Sequence, residues 1–180
     1  MNIEIGNDVL VSNVQGTHLF GKKFEDNLSQ GRTLLIFLRH LGCTFTRETI
    51  TKLRLLSGRD QNFPQIVFVH QGSVADGDAL FSKLWPEAHR IADTDLSLYR
   101  TFKIERGTFV ELFGPQTLQA GLLGLLQGHG VGRPIGDPFL MPGSFLIENK
   151  RIVWAHQFSH AGDQPQYEKI INPSTLDSVL

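Results

Sequence analysis

The chain has 180 residues, 41% of them hydrophobic, with 17 basic and 18 acidic side chains. At about 150 residues per domain, this length favours one domain over residues 1–180, large enough for one substantial core. The charge is balanced and contains no long basic run, which argues against nucleic acid or an anionic membrane as partners, and no segment approaches the roughly 20 apolar residues of a membrane span.

The N-terminus and the cysteine content predict a cytoplasmic protein. Residues 1–8 have no basic stretch followed by an apolar core, which a secretory signal would need. Cys43 is the only cysteine, so no intramolecular disulfide is available. This content suits a reducing compartment.

The first 30 residues predict a short β-hairpin. Apolar residues alternate in part between Glu4 and Asn13, and the segment Gly16 to Gly21 has the composition of a hairpin return. We therefore expect a small β extension before the main sheet.

The segment around Cys43 predicts a junction between a strand and a helix. Residues 33–38 form an apolar run typical of a strand buried on both faces. From Thr44 onward the spacing becomes helical, with a predicted amphipathic helix over residues 46–57 and Gly58 as its C-terminal cap. Cys43 therefore lies at the carboxyl end of a strand and at the start of a helix.

The next 40 residues repeat the strand–helix order. The predicted elements are a strand over 65–70, a helix over 76–85, a short strand over 90–92, and a helix around Tyr99 that is capped by Asp93 or Asp95. This βαβαβα order produces a parallel sheet with helices on its faces.

The last third begins with a leucine-rich helix, which residues 118–126 predict, and a glycine-rich loop over Gly128 to Pro134. No strand precedes this loop, so we interpret it as an active-site flap and not as a nucleotide site. Two apolar runs on either side of Asn149-Lys150 predict a β-hairpin, and a helix is expected to begin at Gln164-Pro165.

The position of Cys43 points to a reactive thiol. The free N–H groups and positive dipole end of a helix N-terminus stabilise an anion, and the thiolate is the nucleophilic form of cysteine. Polar residues flank it: Arg39, His40, Arg47 and Glu48. The alternative is a buried, inert cysteine that behaves as a small hydrophobe.

We expect no metal site and no cofactor. His156 and His160 are the two histidines that lie four residues apart, but they fall at or beyond a strand end. A spacing of four places two ligands on one face only when it occurs in a helix.

Two segments resemble a known family. Residues 37–48 are similar to the Arg-x-x-Gly-Cys-x-x-Cys-Arg-Glu segment of the peroxiredoxin-like proteins that include selenoprotein L, and residues 136–145 are similar to their later Gly-Asp…Gly-x-Phe pattern. The chain thus resembles the peroxiredoxin branch (alkyl hydroperoxide reductase and thiol-specific antioxidant) of the thioredoxin fold. The resemblance implies an α/β fold, with a central mixed β-sheet, helices on both faces and an N-terminal β-hairpin extension.

The resemblance also implies an antioxidant oxidoreductase that reduces hydroperoxides through Cys43. Thr46 stands where those relatives have a second cysteine, so no internal dithiol cycle is available. The oxidised thiol then needs an external thiol reductant, such as glutathione or a thioredoxin-like protein, or Cys43 of a second subunit in a homodimer. The competing hypothesis is a non-catalytic thioredoxin-fold protein that senses redox state or binds a partner.

The same alignment assigns roles around the thiol. We predict that Thr46 donates a hydrogen bond to the thiolate and that Arg39 or Arg47 stabilises its charge and orients the peroxide, although both arginines also fit ordinary surface positions. Gly42, His40 and Pro142 are predicted to contact the substrate. Pro142 resembles the cis-proline that faces the thiol in thioredoxin-like proteins.

Overall fold

The computed structural model describes residues 3–126, 128–156 and 158–171. Its centre is a seven-stranded mixed sheet in the order β1-β7-β6-β3-β4-β5-β2. The strands are β1 (Ile3–Glu4), β2 (Gln15–Thr17), β3 (Arg32–Phe37), β4 (Gln65–His70), β5 (His89–Ala92), β6 (Gly143–Glu148) and β7 (Arg151–His156). The helices are α1 (Asn7–Leu10), α2 (Thr44–Arg59), α3 (Val74–Leu84), α4 (Ser97–Thr101), α5 (Phe109–Phe113) and α6 (Pro115–Leu126), with 3-10 turns at Glu25–Asn27 and Tyr167–Ile171.

The predicted βαβαβα core is confirmed. β3, β4 and β5 pair in parallel, and β6 joins β3 in antiparallel orientation. Side chains alternate across β3, so that Leu34 and Ile36 pack with α2 and α3 on one face, whereas Leu35 and Phe37 pack with α1 and α4 on the other. Helices therefore cover both faces of the sheet.

The N-terminal segment is only partly the expected hairpin. The backbone N–H of Val14 donates to Lys22 O, and that of Phe24 donates to Ser12 O, which confirms an antiparallel return. Residues between these pairs include β2, which joins the sheet edge beside β5. The expected alternation over 4–13 is interrupted because residues 7–10 form α1.

Several boundaries also differ from the sequence prediction. α2 continues through Gly58, because Asp60 N–H donates to Leu56 O, so Gly58 is not its C-terminal cap. α5, with a capping box between Thr108 and Glu111, was not predicted. The described part of the C-terminal helix is a 3-10 turn. The β6–β7 hairpin is confirmed, and Asn149 and Lys150 have positive φ angles of 51° and 61°, as a two-residue turn of type I′ requires.

A buried polar contact fixes the strand ends that lead to Cys43. The carboxylate of Asp93, one of the two predicted caps, accepts hydrogen bonds from the N–H groups of Ser97, Leu98 and Tyr99 at the start of α4. The Tyr99 hydroxyl in turn lies 2.5 Å from Leu38 O and 3.0 Å from Val69 O. α4 thus holds together the carboxyl ends of β3 and β4.

No helix in the described part of the chain is both long and apolar enough to cross a bilayer.

His70, at the end of β4, is a buried titratable group. Its side chain is fully buried, and neither ring nitrogen has a hydrogen-bond partner among the described residues. Gly77 of α3 lies so close that a Cβ atom there would fall 2.4 Å from Nε2 of His70. Burial, and secondarily Arg90, lower the pKa of His70 to about 4.

We expect His70 to make the fold sensitive to acid. Because the folded pKa lies below the unfolded value of about 6.5, its contribution to stability is complete above about pH 6.5 and is lost as pH falls towards 4, by about 3 kcal/mol in all. Urea unfolding between pH 7 and 4.5 should give a flatter dependence of the unfolding free energy on pH for His70→Leu than for the wild type. Equal slopes would contradict this account, whatever the absolute stability of the variant.

Candidate active site around Cys43

Cys43 occupies the junction that the sequence predicts. It is the N-cap residue of α2, with extended φ and ψ angles of −76° and 136°, and its N–H donates to His40 O over 3.0 Å. The side chain is only 6% exposed and makes no capping hydrogen bond to the helix. Cys43 therefore stands at the N-terminus of α2, but its sulfur does not cap the helix.

Arg39 provides the contact to the sulfur. Its Nη1 lies 3.3 Å from Cys43 Sγ, its Nη2 donates to Pro138 O at 2.6 Å, and its Nε donates to Leu140 O at 3.4 Å. The side chain is 6% exposed, and within the described residues no carboxylate forms an ion pair with it. The hydrogen-bond acceptors of the guanidinium are therefore two backbone carbonyls and the sulfur of Cys43.

Thr46 does not make the predicted bond to the sulfur. Its hydroxyl donates instead to His40 O, at 3.3 Å, which is the carbonyl that also accepts the N–H of Cys43. The turn before α2 directs this carbonyl at the first helical turn, so the nearest acceptor for Thr46 is backbone and not sulfur. Thr46, 2% exposed, thus holds the turn that carries Cys43.

His40 lies beside Arg39 and is half-buried. Burial, followed by the charge of Arg39, lowers the pKa of His40 to about 4, so its imidazole is neutral at neutral pH. Its Nδ1 is buried without a hydrogen-bond partner in the part of the chain that the structure describes. A neutral ring adds no second positive charge beside Arg39.

Arg47 is directed towards the glycine-rich loop. A Cβ atom on Gly132 would lie 2.9 Å from Nη2 of Arg47, and Nε of Arg47 is buried without a partner among the described residues. Of the side chains described, only that of Arg39 hydrogen-bonds to Cys43 Sγ. The structure therefore separates the two predicted arginines: Arg39 contacts the thiol, and Arg47 lies next to Gly132 of the loop.

Gly42 allows the loop to lie against the turn that carries Cys43. Gly132 N–H donates to Gly42 O at 2.9 Å, and Leu41 N–H donates to Ile135 O at 3.1 Å. A Cβ atom on Gly42 would fall 2.3 Å from Arg133 O, so no larger residue fits there without movement. The loop interpreted as a flap lies directly against the turn that carries Cys43.

α6 closes the same region from another side. Gly121 faces the ring of Phe45, and Gly124 faces Thr44 and Glu48. Burial raises the pKa of Glu48, with smaller opposing effects from His129 and Lys52. The inner face of α6 therefore covers the first turn of α2 next to Cys43.

Pro142 lies at the site, but in a different form from the one predicted. Its peptide bond is trans, the lower-energy form of an X–Pro bond. Pro142 lines a small cavity of about 10 Å³, close to the room that one water-sized molecule needs. The polar residues that line this cavity are Arg39, Thr46, Thr49, Ser144, Gln164 and Tyr167.

The sequence did not reveal Ser144 and Tyr167 as part of this region. Their hydroxyls lie 3.1 Å apart and both side chains are buried. Burial raises the pKa of Tyr167 well above its usual value. A signal was available for Ser144, because it shares the inward face of β6 with Leu146 and a polar residue there needs a partner.

His156 pairs with Asp163, with Nε2 and Oδ2 3.3 Å apart. Across residues 3–126, 128–156 and 158–171, no group of three His, Cys, Asp or Glu side chains is arranged to hold a metal ion.

Neither a family model nor a curated protein matches the sequence. Solved structures do match in fold. A cysteine-to-serine variant of peroxiredoxin Q from Xylella fastidiosa is 16% identical, with a TM-score of 0.59 over 99% of this chain and 96% of that chain. The bacterioferritin comigratory protein of Xanthomonas campestris is 14% identical, with a TM-score of 0.57 over 99% and 96%. A cysteine-to-serine variant of peroxiredoxin 6 from Arenicola marina is 13% identical, with a TM-score of 0.59 over 87% and 67%.

These similarities confirm the predicted fold. The chain has the thioredoxin-like α/β fold of peroxiredoxins, with a mixed seven-stranded sheet and helices on both faces. At these identities, the roles of individual side chains rest on the geometry of this chain alone.

Gly42→Ala tests the contact between the loop and the Cys43 turn. We expect the added methyl group to displace residues 132–133, lower the unfolding free energy by about 1–3 kcal/mol and speed the alkylation of Cys43 by iodoacetamide. Gly58→Ala is the matched control, because nothing lies within 4 Å of a Cβ atom there and the site is inside α2. It should stabilise the protein by about 0.5–1 kcal/mol. Two variants of equal stability and equal reactivity would contradict the proposed contact.

Proposed function

We propose that this protein is a thiol peroxidase that reduces hydroperoxides through Cys43 and is regenerated by an external thiol. The observation that carries the proposal is the contact between the buried guanidinium of Arg39 and Cys43 Sγ, at 3.3 Å. In this proposal the guanidinium is the charged hydrogen-bond donor to the thiolate, and the thiolate is the form that attacks a peroxide. The peroxiredoxin fold agrees with this chemistry.

The reaction has two halves. The thiolate attacks one peroxide oxygen, the S–O bond forms as the O–O bond breaks, and the leaving alkoxide or hydroxide takes a proton from solvent. Cys43 becomes a sulfenic acid. A reductant thiol then attacks the sulfenic acid, displaces its hydroxyl as water and forms a mixed disulfide with Cys43. A second reductant thiol attacks this mixed disulfide, which frees the Cys43 thiol and joins the two reductant molecules as a disulfide.

Arg39 also suits the developing charge on the leaving oxygen. Its fork is fixed by Pro138 O and Leu140 O, so the group is oriented before the peroxide arrives. A cavity lined by Arg39, Thr46 and Pro142, but not by Cys43 itself, has room for a molecule near the size of water. Hydrogen peroxide or the hydroperoxyl end of an alkyl peroxide is the substrate class that fits this description, and the Xanthomonas campestris neighbour is described for alkyl peroxide reduction.

The reductant must come from outside the chain, because no second cysteine exists. Glutathione or a thioredoxin-like protein in the cytoplasm would fill this role. With Thr46 in the place of a resolving cysteine, one reduced molecule completes only the first half-reaction.

A redox-sensing protein is the second candidate, and one observation favours it. Cys43 is only 6% exposed and packs with Phe45, Leu112 and Ala161, which suits a thiol that small oxidants reach more readily than a protein reductant does. A sensor would form a stable mixed disulfide and would show no sustained turnover. Multiple turnovers with glutathione or with a thioredoxin system therefore distinguish the enzyme from the sensor.

Cys43→Ser should abolish hydroperoxide consumption, because the variant has no thiol left to oxidise. The wild type should consume one equivalent of peroxide without added thiol and many equivalents with it. The measurement is the peroxide that remains after the reaction is stopped at set times. If Cys43→Ser kept the wild-type rate, the nucleophile would have been assigned wrongly.

Arg39→Gln should slow the alkylation of Cys43 at pH 7 by about 10- to 100-fold. The variant loses a hydrogen bond to a charged group, about 1.5–3 kcal/mol. Arg39→Lys should restore part of the rate, since it keeps the charge but not the fork. Arg54→Gln is the control, because Arg54 donates to Leu84 O on the outer side of α2 and should leave the rate unchanged. An unchanged rate in Arg39→Gln would contradict the role given to this residue.

A further inference from the structure

Residues 109–131 expose an unusual amount of apolar surface. Seven large hydrophobic side chains of this segment are each more than half accessible, and together they are called the apolar patch: Phe109, Val110, Leu118, Leu122, Leu123, Leu126 and Val131. Over the rest of the described chain, the exposed large hydrophobic side chains are scattered at Ile3, Val11, Phe20 and Leu55. A patch of this kind marks an interface more often than free surface.

The patch follows from how α6 packs. Its small residues Gly121 and Gly124 face α2, whereas Leu118, Leu122, Leu123 and Leu126 are exposed to solvent. Leu118, Leu122 and Leu126 recur at intervals of four and form one row along the helix. Gly114 is extended, with φ −66° and ψ 171°, and ends α5, so Phe109 and Val110 lie on a separate short helix that precedes this row.

The charge pattern indicates the kind of partner. The sequence from Pro115 to Leu126 carries no charged residue, and Glu111 is the one acidic or basic residue other than histidine between 109 and 131. A helix that lies on a bilayer carries lysine or arginine on its polar face, which this segment lacks. A surface that is poor in charged residues and rich in apolar side chains is typical of the core of a homodimer interface.

The area also agrees with a second copy as the occupant. A buried side chain of this size removes on the order of 100 Å² from water, so seven of them supply on the order of 700 Å² per copy. A standard interface buries about 800 Å² per partner. A row of residues four apart is the ridge that packs into the matching groove of another helix in the commonest helix-pair geometry.

We propose that the apolar patch is a two-fold interface through which two copies of this chain form a dimer by pairing their α6 helices. In such an interface the same patch serves both copies. The opposite face of α6 covers Phe45 and Thr44 beside Cys43, so the dimer holds that cover in place from outside. The inference goes beyond the peroxidase proposal and does not depend on it.

Sedimentation equilibrium of the reduced protein at several micromolar concentrations tests the proposal. The wild type should show twice the chain mass of 20.2 kDa and dissociate on dilution. Leu122→Glu should sediment as a single chain, because the two carboxylates would meet across the symmetry axis. Leu55→Glu is the matched control: Leu55 is 55% exposed on α2, outside the patch, and this variant should remain a dimer.

Circular dichroism checks that each variant is folded. A double variant, Leu118→Gln and Leu126→Gln in one chain, is a milder change that should also give a monomer. A wild type of single-chain mass throughout would overturn the proposal, as would a dimer that survives both patch variants. A monomeric wild type that floats with phosphatidylcholine vesicles would assign the patch to a membrane instead, which also overturns the proposal.

Discussion

The guanidinium of Arg39 connects the chemistry of this protein to its fold. It hydrogen-bonds to Pro138 O and Leu140 O in the segment before β6 and to Cys43 Sγ at the start of α2. An isolated buried charge costs several kcal/mol, and carbonyl oxygens offset only part of that cost. No carboxylate pairs with Arg39 among the described residues. In the proposed function, the guanidinium that binds Pro138 O and Leu140 O is therefore also the group that interacts with the thiolate of Cys43.

The surrounding backbone keeps this pair in register. The Tyr99 hydroxyl binds Leu38 O and Val69 O at the carboxyl ends of β3 and β4. His40 O accepts hydrogen bonds from both the Cys43 N–H and the Thr46 hydroxyl. Gly42 permits the glycine-rich loop to lie against the turn. The thiol is therefore held at a helix N-terminus, a position that favours a negative charge. It is also shielded from bulk water, which strengthens its hydrogen bond with Arg39.

The local sequence pattern was enough to predict where Cys43 lies in the fold, but not which groups contact it or its neighbours. The apolar run over 33–38 and the helical spacing after Thr44 predicted where Cys43 lies, since both depend on neighbours in sequence. The acceptor of Thr46 and the trans bond of Pro142 depend on carbonyls and chain paths fixed only after folding, so the resemblance to other proteins misdirected both. α1 replaced a predicted strand because weak alternation over a few residues does not exclude a helical turn.

The central claim is that Cys43 is a peroxide-reactive thiolate held by Arg39. The most direct measurement is mass spectrometry of the protein after a brief exposure to stoichiometric hydrogen peroxide in the presence of dimedone, which traps sulfenic acids. The account predicts rapid and nearly complete labelling at Cys43 in the wild type and labelling slowed by at least about tenfold in Arg39→Gln. Labelling that is absent in the wild type, or equally fast in both proteins, would contradict it.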